Sequence, residues 1–149
     1  MEIMQAVGES ILHICGVMGA KLEKNASLEN GVYGSSIPLY IEDDKGVMCE
    51  YQFYLYFKNE LLNIVAEQLL QSNFNQSDLA DISRELANQI IGYAKMLLTD
   101  ANNVKTKLGT PEFLGVVESF PIKFDEKELY KINNETLQIG YKKIWQMKN

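Results

Sequence analysis

From residue 2 to residue 19, apolar side chains recur every three or four positions: Met4, Val7, Ile11, Ile14 and Met18. That period predicts an amphipathic helix, with Gly19 as its stop. The stretch LEKNASLENGVYGSS is polar and turn-rich, with room for one short strand. IPLYIED and VMCEYQFYLYF carry many β-branched and aromatic residues and flank the turn signal DDKG, so they predict a strand pair. NELLNIVAEQLL, residues 59–70, predicts a second helix, which SNFNQ breaks. The longest helical pattern follows, from Ser77 to Asp100. Ser77 is the expected N-cap, its hydroxyl accepting a free first-turn N–H. Asp78 and Asp81 lie near the positive end of the helix dipole. Beyond it, GTPEFLGVVES, FPIKF, ELYKI and ETLQIGYKKIW read as strands. The last two meet at Asn133-Asn134, a pair that tolerates the left-handed backbone of a tight hairpin. The order helix, strands, two helices, strands favours an α+β domain with a largely antiparallel sheet and helices packed against it. One domain is expected over residues 1–149, and no internal repeat, low-complexity stretch or linker interrupts it.

The third helix has two unlike faces. With Glu85 at zero and ~100° per residue, Leu79, Ile82, Leu86, Ile90, Tyr93 and Leu97 share one sector, the expected core stripe. Asp81, Glu85, Asn88 and Gly92 gather on the far side. Glu85 and Asn88 stand at i and i+3, so their side chains are neighbours. A glycine inside a helix costs about 1 kcal/mol against alanine, here on a face where any helix former would serve. Either a loop of the chain lies over Gly92, or something else must approach the helix beside Glu85 and Asn88. Taken alone, a polar helix face is ordinarily a solvated surface.

Composition narrows the function classes. The chain is 46% hydrophobic with eight Tyr and six Phe, which fits a packed core and not a disordered segment. A net charge of -6 without clustered Lys or Arg argues against nucleic acid and against an anionic membrane surface. Without basic residues around it, the aromatic run YQFYLYF suggests core packing or a subunit interface, not base stacking. Two cysteines, Cys15 and Cys49, are too few for a disulfide scaffold and suit a reducing compartment. With His13 they make at most a three-ligand cluster from distant segments, and small buried thiols are the plainer account. The first residues lack the basic and apolar regions of a secretory signal, and no run is long enough to span a membrane, so a cytoplasmic protein is expected. No nucleophile triad, phosphate loop or zinc spacing is present in the pattern.

One further residue gives the polar face a meaning. Asp81-x3-Glu85-x2-Asn88 is followed, after 22 intervening residues, by Pro111 in LGTPEFLG. This spacing resembles the signature of the CheC/CheX/FliY phosphatases of bacterial chemotaxis: Asp or Ser, then Glu, Asn and Pro. ELANQIIGYAK resembles the family's active-site helix, and GTPEFLG its proline-containing segment. By average composition, the four-residue match arises by chance in on the order of one in several hundred chains of this length. A control lies within the chain: Glu60-x2-Asn63 repeats the short core, but Tyr56 and Leu86 occupy the two flanking positions. The CheC branch carries two such helices, whereas one complete signature here resembles the CheX branch. The resemblance covers most of the chain in layout and is specific around residues 81–115.

The resemblance implies a CheC-like domain whose substrate is the aspartyl-phosphate of the response regulator CheY. It implies that Asn88 orients the attacking water and that Glu85 anchors to the regulator's active-site Lys. Asp81, Gln89 and Gly92 are then expected to meet the partner, and Pro111 to be structural, because it fixes φ at the entry to the next strand. No cofactor of the protein's own is implied; a divalent metal such as Mg2+ would belong to the regulator. CheX-type proteins form homodimers through sheet edges, so a homodimer is expected. The alternative is a non-catalytic module of the same fold, docking on a response regulator or flagellar-switch protein.

Overall fold

The computed structural model describes residues 1–24, 32–71, 73, 75–117 and 123–148. Helix α1 spans Ile3–Met18 and stops at Gly19, which takes the left-handed conformation at φ 71°. Strand β1 (Leu22–Lys24) is short, while β2 (Val32–Glu42) and β3 (Val47–Phe57) form the expected strand pair. Helix α2 (Asn59–Ile64) continues into one π-helical turn, Val65–Leu69. After a 3-10 turn at Gln76–Asp78 comes α3, Leu79–Asn102. Strands β4 (Lys105–Leu108), β5 (Glu112–Val117), β6 (Glu126–Ile132) and β7 (Glu135–Lys148) complete the fold.

Among the described residues, seven strands form one sheet in the order β1-β6-β7-β3-β2-β4, with β5 also paired to β2. Every pairing is antiparallel. The β6–β7 hairpin turns at Asn133 and Asn134, whose φ angles are 48° and 70°, as the Asn-Asn pair predicts. The helices pack on one sheet face. Ile37, Leu39, Phe53, Leu55, Phe57, Leu137 and Ile139 alternate inward to meet Val7, Ile11, Leu61, Leu62, Leu86 and Ile90. Burying each such side chain stabilises the fold by about 1.5–3 kcal/mol. On the opposite face, Tyr54 and Tyr56 pack against Phe124, so the aromatic run serves packing on both sides. Among the described residues, no helix is long and apolar enough to cross a membrane.

Several expectations are corrected. Ser77 lies in the 3-10 turn; the residue before α3 is Asp78, and its side chain makes no capping hydrogen bond. VYGSS is strand and not turn, because Gly34 serves close packing. A Cβ there would come within 2.8 Å of the Val117 side chain and 3.2 Å of the Tyr56 ring. β4 was not anticipated. FPIKF falls partly outside the described residues, and Lys123 and Phe124 are not strand. The core stripe of α3 is also rotated: Ser83, Ala87, Ile91, Ala94 and Leu98 are buried, while Tyr93 and Leu97 are only half-buried. The cause is that α3 packs against α1 and the sheet together, so its buried sector is wide and includes small residues.

Candidate functional site

Helix α3 is held from two sides. The Ser10 hydroxyl of α1 donates to the Ile90 carbonyl at 2.6 Å, in a buried position. At the other end of the pair, Asn102 Nδ2 donates to the Met1 carbonyl at 3.0 Å, so α1 and α3 run antiparallel. His13 and Tyr93 stack between the two helices with ring centroids 4.1 Å apart and planes 5° from parallel. On the other flank, the Thr99 and Thr106 hydroxyls share a hydrogen bond of 2.5 Å between α3 and β4.

This anchoring leaves Asp81, Glu85, Asn88 and Gly92 on the outer ridge, as the helical period predicts. Asp81 and Gln89 are exposed; Glu85, Asn88 and Gly92 are half-buried. The Gln89 carboxamide donates to Glu85 Oε1 at 2.9 Å. The Arg84 guanidinium donates to the Asp81 carboxylate in an i,i+3 ion pair. The Asn88 side chain forms no hydrogen bond to another described residue, and no cation of the described residues pairs with Glu85. Arg84 is a further residue of the site, and its distance of three residues from Asp81 is the sequence signal for the pair.

Pro111 lies in the link between β4 and β5, and β4 is the strand whose end borders the ridge. A Cβ on Gly92 would meet Leu108 of β4 at 3.7 Å, so the end of β4 lies beside Gly92. Gly109 follows, and its N–H donates to the Pro38 carbonyl at 2.8 Å. A Cβ on Gly109 would fall 2.3 Å from Pro38 Cγ, so only glycine fits there. Pro111 then stands between β4 and β5, where its fixed φ and missing N–H separate the two strands. β5 resumes the pairing with β2 at Glu112.

The other candidates lie elsewhere. Cys15 is in the core, where burial pushes its thiol up from the ordinary range, and Cys49 is buried as well. His13 is exposed on the α1–α3 seam. Among the described residues, no group of three His, Cys, Asp or Glu is placed to hold a metal ion. One groove runs between α1 and β6, lined by Met4, Gly8, Leu12, Glu128 and Tyr130. Another lies along Pro38, Tyr40, Met48 and Lys107–Thr110.

No family model matches the chain, and no curated protein matches it in sequence. Solved structures do match. The chemotaxis protein CheX from Vibrio vulnificus is 13% identical with a TM-score of 0.68, over 95% of this chain and 97% of that one. A CheC-like superfamily protein from Shewanella sp. PV-4 is 16% identical with a TM-score of 0.62, over 95% and 99%. The CheX–CheY–BeF3–Mg2+ complex from Borrelia burgdorferi matches at 14% identity and a TM-score of 0.61, over 96% of each chain. At these identities the likeness is one of fold: the chain has the α+β fold of the CheX and CheC-like chemotaxis proteins.

Proposed function

We propose that the protein is a phosphatase that hydrolyses the aspartyl-phosphate of a CheY-type response regulator. The observation that carries this is the outward Asn88, without a hydrogen-bond partner among the described residues, beside Glu85 on an anchored helix. The CheX fold, and the Borrelia CheX found in complex with CheY, support the same partner class. In the reaction, a water oxygen attacks phosphorus and the bond to the aspartate oxygen breaks. The products are a free carboxylate and inorganic phosphate, with the water proton passing to phosphate or solvent. Such a transfer asks mainly for positioning and charge stabilisation. Asn88 offers one acceptor and two donors, enough to hold the water in line without changing charge. The metal and the phosphorylated aspartate belong to the regulator.

Glu85 anchors the complex. Gln89 occupies Oε1, which leaves Oε2 for an ammonium from the partner. Gln89 thereby sets the carboxylate's direction, and bare Gly92 lets the partner's loops lie close to the ridge. At the sheet's edge, β5 exposes Leu114 and Val116, and its outer side carries no described strand. An edge of that kind calls for cover, and we assign it to a second copy of the chain.

The deciding experiment follows phosphate loss from a phosphorylated CheY-type regulator with wild type and with Asn88→Ala. Wild type is expected to accelerate decay, and Asn88→Ala to lose about 10²-fold of that effect while still binding the regulator loaded with beryllium fluoride and Mg2+. Binding without accelerated decay in wild type would leave a docking module and no enzyme.

A further inference from the structure

On a helix, the residues that reach Asn88 stand three and four positions away. They are Arg84, Glu85, Ile91 and Gly92. Each is withheld from its carboxamide. Ile91 is fully buried and apolar. Gly92 has no side chain. Glu85 is bonded to Gln89, and Arg84 is bonded to Asp81. Arg84 is the one that matters most. Its guanidinium carries five donors and no acceptor, and i,i+4 is the spacing at which it would reach the Asn88 carbonyl oxygen. That oxygen is the acceptor a placed water needs.

We infer that Asp81 is a positioning residue: it tethers Arg84 toward the start of α3 and so keeps the Asn88 carboxamide free. Asp81, Arg84 and Asn88 lie on one stripe, at i, i+3 and i+7, with Arg84 between the other two. Helical side chains lean toward the N-terminus, which already favours the Asp81 side, and the ion pair fixes the choice. The role assigned to Asp81 is therefore internal to the chain and requires no contact with the partner. It rests on the phosphatase assignment of Asn88 for its catalytic meaning, but the tether itself can be observed without a regulator.

The test is a cycle of Asp81→Ala, Arg84→Ala and the double variant. Circular dichroism checks that each folds. Asp81→Ala is expected to lower the turnover of phosphorylated regulator about threefold to tenfold, the size of a competing exposed charged hydrogen bond. Arg84→Ala is expected to keep wild-type turnover, and the double variant to recover it. An Asp81→Ala loss that persists in the double variant would show that Asp81 acts directly, and unchanged turnover in Asp81→Ala would equally overturn the tether. In parallel, the Asn88 side-chain amide resonances are followed by NMR in the free proteins. They should move in Asp81→Ala and return in the double variant. If wild type does not accelerate dephosphorylation, the phosphatase assignment fails, and the resonances alone decide whether Arg84 is tethered.

Discussion

Gly92→Ala separates what the chain needs from what a partner needs. Among the described residues, a Cβ at this position meets only the Leu108 side chain, at 3.7 Å, an ordinary van der Waals contact. The backbone is α-helical, so alanine introduces no strain. Glycine costs about 1 kcal/mol against alanine in a helix interior. Gly92→Ala should therefore stabilise the protein by about 0.5–1 kcal/mol and raise Tm by about 1–4 °C for a chain of this size. Gly109→Ala is the internal contrast. Its Cβ would sit 2.3 Å from Pro38 Cγ and 3.4 Å from the Pro38 carbonyl oxygen. The edge of the sheet would have to shift, at a cost of about 1–3 kcal/mol. Urea titration and thermal melts followed by circular dichroism read both. The functional arm is Gly92→Gln, a good helix former that adds bulk beside Asn88. It should remain as stable as Gly92→Ala and lose regulator dephosphorylation. A destabilised Gly92→Ala would mean that the chain's own packing requires the glycine. Full activity in Gly92→Gln would mean that nothing lies against this ridge.

Glu85→Ala should weaken regulator binding by about 2 kcal/mol, roughly thirtyfold in Kd, with turnover at saturation largely kept; an unchanged Kd would remove Glu85 from the interface. Val116→Lys places a charge on the exposed β5 edge and should shift sedimentation from dimer to monomer, whereas an unaltered sedimentation coefficient would exclude this edge as the subunit contact. Burial, with the Glu128 carboxylate nearby, pushes the Tyr130 phenol up to about 12. The unfolded chain then ionises first, near pH ~10, so stability present below that value is lost as pH rises toward about 12. Tyr130→Phe should flatten this alkaline loss by on the order of 1–3 kcal/mol. Tyr141, also raised by burial and by its bond to Glu126, leaves a residual slope. Identical pH profiles would show that Tyr130 is not responsible.

What was legible in the sequence was local. The Gly19 stop, the Asn133-Asn134 turn and the β2–β3 pair follow from backbone preferences of a few residues. The outward face of Asp81, Glu85, Asn88 and Gly92 follows from helical period alone. The misses are tertiary. Gly34 reads as a turn signal because its reason, the approach of Val117 and Tyr56, comes from β5 and β3. KTKL is too short and too lysine-rich to announce β4, which exists because β2 has an edge to pair. The rotated core stripe of α3 needs knowledge of both α1 and the sheet. The same limit divides the candidate site. The signature spacing reaches the face, but the His13–Tyr93 stack and Leu108 beside Gly92 depend on elements far away in sequence.

The ridge on α3 has a consequence for substrate size. Small-molecule sites are concave and enclose most of their ligand. The two grooves described are lined by residues other than Glu85 and Asn88. A helix ridge projects more than it encloses, so it offers a free acyl phosphate little wall and little desolvation. On the phosphatase reading proposed above, hydrolysis requires another macromolecule to supply the cavity, the metal and the phosphorylated group, with Asn88 supplying the amide. On that reading, discrimination against small metabolites needs no selective pocket: it follows from the proposed site's lying on a helix ridge.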